Sequence, residues 1–155
     1  MKIDPNVERL TREAFAASVA GEADRFDAAL VAIADQGDET TSHALALALA
    51  VDRIALFAIH DGQRPDENQM AYLAGGLAED AQTWAPDAVT RQSARSFLDS
   101  IADVSTTTLE PGDLALHAFG TGGWLLSSFQ SSGKKWTEFL DQILDTLESV
   151  EEPRQ

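Results

Sequence analysis

Apolar residues recur at helical spacing along almost the whole chain. Asp4 followed by Pro5 puts a capping residue and a first-turn proline ahead of Val7, Leu10, Ala14 and Ala17, with Phe15 beside them. That predicts a first helix to about Ala20, ended by Gly21. Phe26, Leu30 and Ile33 mark one face of a second helix over residues 22–36, and Gly37 stands where a left-handed C-terminal residue is expected. In the next run, Leu45, Leu47, Leu49 and Val51 alternate at period two, as in a strand. The residues between them are alanines, which favour helices and are depleted in strands, and the run is too long for a strand. Read as a helix, it is apolar on every side from Ala44 to Ile59 except at Asp52 and Arg53. The pattern predicts the central helix of a bundle, too short and too polar to span a membrane.

A fourth helix starts at Pro65 or Asp66 and carries Met70, Leu73, Leu77 and Ala81 to about Trp84. The fifth opens at "APDAV" and buries Val89, Ala94, Phe97, Leu98, Ile101 and Val104. The loop "STTTLEPGD" leads to Asp113, which caps a sixth helix over residues 114–129. In the last helix, Trp136, Phe139, Leu140, Ile143, Leu144, Leu147 and Val150 form one stripe opposite an acidic face. The expected fold is all-α: a compact bundle of six or seven mostly antiparallel helices, one domain over residues 1–155 with a frayed tail at 151–155.

Composition narrows the function. The chain has 155 residues and no cysteine, which excludes disulfides, thiolate metal sites and Cys nucleophiles. Twenty-six acidic residues against 11 basic ones leave a formal net charge of −15. Such a surface repels nucleic acid and anionic membranes, and the one adjacent basic pair, Lys134–Lys135, is too little for a nucleic-acid groove. The N-terminus has no apolar stretch of the secretory type, so a cytoplasmic protein is expected.

Three stretches invite a chemical reading. His60–Asp61 after an apolar run resembles the dyad of the HD-type metal-dependent phosphohydrolases, in which an earlier His, the dyad and a later Asp gather the metal. The earlier His here is His43, about 25 Å away along one continuous helix, so these residues cannot meet at one ion. Helix-end packing explains His60, Asp61 and Gly62 more simply. Asp52 and Arg53 are neighbours inside the most apolar run and cannot face the same way. They predict either structural pairing and a snorkelling Arg, or polar groups lining an internal pocket where Arg53 meets an anionic ligand. The segment from Leu114 to Gly133 carries no formal charge, and Gly120, Gly122 and Gly123 should each cost its helix about 1 kcal/mol relative to Ala. Close helix approach, here or against Gly75 and Gly76, is the simplest offset. No metal-binding or cofactor motif is present, and neither a metal nor a cofactor is expected.

The leading expectation is a non-enzymatic regulator or inhibitor that binds a basic protein partner through its acidic faces. Glu138, Asp141, Asp145 and Glu148 are the partner-binding candidates, and Glu22, Asp24, Asp27, Asp35, Asp38 and Glu39 form a second cluster. Self-association through the uncharged segment ending at Gly133 is a further expectation. The alternative is a small enzyme or ligand-binding protein with a pocket inside the bundle. Its catalytic candidates are His60, Asp61 and His117; its ligand candidates are Asp52, Arg53 and Trp124, beside aromatics such as Trp84 and Phe119.

Overall fold

The structure, a computed structural model, describes residues 2–129 and 135–150, apart from the side chain of Val150. The expected tail at 151–155 and most of the turn before the last helix lie outside the described residues. Seven helices follow in order: α1 (Pro5–Ala20), α2 (Ala23–Asp35), α3 (Asp38–Ala58), α4 (Glu67–Trp84), α5 (Arg91–Asp103), α6 (Pro111–Ser128) and α7 (Trp136–Val150), with no strand among the described residues. The all-α bundle expected from the periodicity is what forms, and buried side chains from all seven helices join in one core.

Local chemistry sets the helix ends. Asp4 accepts hydrogen bonds from the backbone N–H groups of Asn6 and Val7, at 2.7 and 3.3 Å. Gly21 closes α1 in the left-handed region, at φ 68°. Asp66 and Gln69 cap α4 reciprocally. Three boundaries differ from expectation. Residues 86–88 form a turn, and α5 starts at Arg91 because Thr90 and Ser93 make their own capping box. Helix α6 starts at Pro111, a residue well suited to a first helical turn. Gly37 opens α3 at φ 105° rather than closing α2 in the left-handed helical region. Val104, expected in the core, ends α5 in the left-handed region and is 75% exposed.

The most enclosed helix is α6 rather than α3, although α3 also packs on five helices. Ten consecutive residues of α6, His117 to Leu126, are buried, and α1, α3, α4, α5 and α7 all pack on it. Helix α3 is long and apolar enough, by length and composition, to cross a membrane, yet only 39% of its most apolar stretch is buried. Ala44, Leu47, Ala48, Val51, Asp52, Ala55 and Leu56 face the core, while Ala46, Arg53 and Ala58 face outward. Alanine accounts for the difference: its small side chain makes α3 read as apolar all round but leaves little cost in exposing it.

The glycines of α6 explain how a helix can be enclosed on every side. A Cβ at Gly120 would stand 2.1 Å from the Trp84 ring, and one at Gly122 would stand 2.3 Å from Phe15 and 2.7 Å from Asp52 Oδ1. A Cβ at Gly123 would fall 2.8 Å from the backbone oxygen of Phe15. Without those atoms α1 lies against the α6 backbone, and the Ser18 hydroxyl donates to the Gly120 carbonyl at 2.9 Å. The close approach offsets the helix-propensity cost. The glycine-bearing helices also meet at Gly76, where a Cβ would stand 3.0 Å from Trp124.

Gly120→Ala is therefore expected to destabilise the protein by about 2 kcal/mol or more, since the rigid Trp84 indole has to move. Gly112→Ala, at a helical glycine with open space around it, should be neutral or stabilise by up to about 1 kcal/mol. Urea unfolding of the two variants checks the contrast. Equal effects would show that helix propensity, not packing, governs α6.

Candidate functional site

The candidates from the sequence fall in several places. Asp52 points into the core between α1, α3 and α6 and is completely buried. Neither carboxylate oxygen has a hydrogen-bond partner among the described residues, and the same holds for Thr11 Oγ1 on α1 and Thr121 Oγ1 on α6. Burial pushes the Asp52 carboxyl well above the usual carboxylate range, because an unpaired charge there would lose its hydration without compensation. The core thus favours the neutral acid form of Asp52. Arg53, one residue on, is turned about 100° around the helix and is exposed. Its guanidinium lies 4.6 Å from the centre of the Phe57 ring and reaches the Ala102 carbonyl at 3.5 Å. The two residues do not pair. Arg53 instead lines an apolar groove of about 390 Å³ between α3 and α5, together with Leu49, Ile101, Val104 and Leu114.

His60 and His117 are engaged by local structure. At the end of α3, His60 Nδ1 lies 2.8 Å from the Leu56 carbonyl, and the following Asp61 is exposed in a left-handed turn. His117 is buried in α6, with Nδ1 2.7 Å from the Asp113 carbonyl and Nε2 2.9 Å from Ser93 Oγ. A carbonyl only accepts, so Nδ1 carries the proton; in the neutral ring Nε2 then accepts from the Ser93 hydroxyl, which also lies 3.2 Å from the Thr90 carbonyl. Desolvation holds the His117 pKa below its ordinary value, which keeps this neutral tautomer in place. Ser93 and His117 form a hydroxyl–imidazole contact that residue types alone did not reveal. Ser93 is committed to the α5 cap, and neither residue lines the grooves beside α3, α4 and α5. Among the described residues, no group of three His, Asp or Glu side chains could hold a metal ion.

Of the aromatics, Trp84 and Phe119 are core residues; Trp84 Nε1 donates to Asp80 at 2.9 Å and its ring packs edge-on against Phe26. Trp124 lines a groove between α4 and α6, with Tyr72, Arg91 and Phe129. The five residues expected to converge on an internal pocket therefore divide: Asp52 and His117 in the core, Arg53 at one groove, His60 at another, Asp61 in a turn. The uncharged segment from Leu114 is largely covered by the chain's own helices, and its end at 130–133 lies outside the described residues.

The acidic surface is more coherent. Glu138, Asp141, Asp145 and Glu148 are all exposed on α7 at spacings of three and four, which places them in one row. Asp141 is engaged by Arg12. Glu138, Asp145 and Glu148 have no ion pair among the described residues. Other cations are consumed locally: Arg25 by Glu13, Arg64 by Asp103, and Arg95 by Glu67 and Asp99. No protein-family model, curated protein or solved structure matches the chain.

The buried acid has a measurable consequence. The unfolded chain releases the Asp52 proton near pH 3.8, whereas the folded core retains it to higher pH. Its contribution to stability is fully present below 3.8 and is lost as pH rises toward the folded value, at up to about 1.4 kcal/mol per pH unit. Asp52→Asn keeps the shape and removes that proton. The stability of the variant relative to the parent should rise with pH above about 4 and level off in acid. Chemical unfolding from pH 3.5 to 8 reads this out, and a pH-independent difference would mean that Asp52 is not a buried acid.

Proposed function

We propose that the protein is a non-enzymatic, cytoplasmic binding module that engages a basic protein partner through the outer face of α7. The observation that supports this reading is the row Glu138, Asp145 and Glu148, exposed on one helix face and outside any ion pair among the described residues, with Arg12 engaging only Asp141 between them. The row extends for about 15 Å along the helix axis. A partner presenting Lys or Arg over a similar length would meet all three carboxylates. The net charge of −15 steers such a partner toward the protein, and the local row supplies register. The amphipathic α7 suits this division of labour: Leu140, Ile143 and Leu144 anchor it in the core, so its outer carboxylates are held on a rigid element.

A lysine- and arginine-rich peptide, followed by fluorescence anisotropy, tests the reading. Binding should weaken as salt rises, because exposed charges are screened. The triple variant Glu138→Gln/Asp145→Asn/Glu148→Gln should bind about tenfold or more weakly, as expected when roughly 1.4 kcal/mol is lost. The matched control Asp61→Asn/Glu79→Gln/Asp87→Asn removes the same net charge from elsewhere on the surface. If both triples weaken binding equally, the interaction is a property of the whole field and the α7 site is wrong.

A further inference from the structure

Arg91 stands apart from the other arginines. Seven lie within the described residues: 9, 12, 25, 53, 64, 91 and 95. Arg9 donates to Asn6; Arg12, Arg25, Arg64 and Arg95 form ion pairs; Arg53 stacks on Phe57. The Arg91 side chain has no hydrogen bond, ion pair or ring contact among the described residues, in a protein with 26 acidic residues to choose from. It is also the first residue of α5, where the helix dipole disfavours a cation. Arg91 is exposed, and its guanidinium is left to solvent rather than committed to a carboxylate among the described residues.

Arg91 borders the groove of about 500 Å³ between α4 and α6, a size within the range of small-molecule sites. Gly75 and Gly76 form part of its lining, and their missing side chains let Arg91 and Trp124 lie against the α4 backbone. A Cβ at Gly75 would stand 3.3 Å from Arg91 Nη2. Trp124 and Phe129 meet edge to face, with ring centres 5.2 Å apart, and give the groove a fixed aromatic side. Tyr72, one helical turn before the glycines, is 77% exposed. Glu79 also lines the groove and disfavours a second negative charge on any occupant.

We propose that this groove binds a planar aromatic monocarboxylate, with its ring among Tyr72, Trp124 and Phe129 and its carboxylate on Arg91. The aromatic side chains that line the groove select a ring. The unpaired guanidinium selects a carboxylate, which it can hold through two parallel hydrogen bonds. The proposal is independent of partner binding by α7.

Naphthoate is the first probe, titrated into the full chain by calorimetry and by tryptophan fluorescence. Saturable one-to-one binding is expected, about tenfold or more tighter than that of the neutral naphthalenemethanol and tighter than that of the dianionic naphthyl phosphate. Arg91→Gln should weaken naphthoate about tenfold and leave the neutral alcohol unchanged. Gly75→Leu should abolish binding of both, since its side chain enters the groove while the flexible Arg91 end gives way. Neither variant should lower the melting temperature, because Arg91 has no partner to lose and Leu favours the helix. Should Gly75→Leu unfold, Arg91→Gln alone decides. Absence of saturable binding to the folded protein, equal affinity for acid and alcohol, or naphthoate binding undiminished in Arg91→Gln would each overturn the proposal. The α7 triple variant should bind naphthoate as the parent does, which separates this site from the acidic face.

Discussion

The bundle depends on the enclosure of α6. A helix can be covered on all sides only if its neighbours come close, and side chains beyond a few atoms keep helix axes well apart. Gly120, Gly122 and Gly123 remove that obstacle on the faces toward Trp84, Phe15 and Ser18. The resulting contact joins parts of the chain far apart in sequence, since Ser18 donates to the carbonyl of Gly120. The other helices then need only one apolar face each, which is what α5 and α7 present.

The same enclosure strands a carboxylic acid. Asp52 faces the surface that Gly122 opens, beside Phe15, with no hydrogen-bond partner among the described residues. Its neighbour Arg53 is rotated about 100° around the helix and reaches solvent. Two ionisable groups adjacent in sequence thus have different surroundings: the acid is enclosed in the core, and the guanidinium stacks on Phe57 at the edge of the bundle. A core with an unpaired acid has less than the stability its packing would allow.

Outside the core, charge is distributed unevenly. Ion pairs tie α4 to α5 through Arg95 and Glu67, and α1 to α7 through Arg12 and Asp141. Exposed pairs of this kind contribute little to stability. Their larger effect is to engage most of the arginines, so that Glu138, Asp145 and Glu148 stay outside ion pairs among the described residues and Arg91 keeps an uncommitted charge beside an aromatic groove.

Helix number, the caps at Asp4 and Asp66, the inner stripe of α7 and the acidic character of the surface were legible in the sequence, because each rests on local spacing or composition. Which helix is most enclosed was not. The alanines of α3 and the glycines of α6 both read as apolar or small, and only the assembled bundle shows that glycine, lacking a Cβ, admits neighbours where alanine does not. Asp52 and Arg53 were legible as an anomaly, but their separation depended on which face α3 turned inward. His117 meets Ser93, and Arg91 shares a groove with Trp124, across different helices, and no local pattern encodes either arrangement. The sequence by itself determined the helices and the charge they carry. The tertiary structure decided which groups lose water and which side chains share a groove, because both follow from how helices distant in sequence pack together.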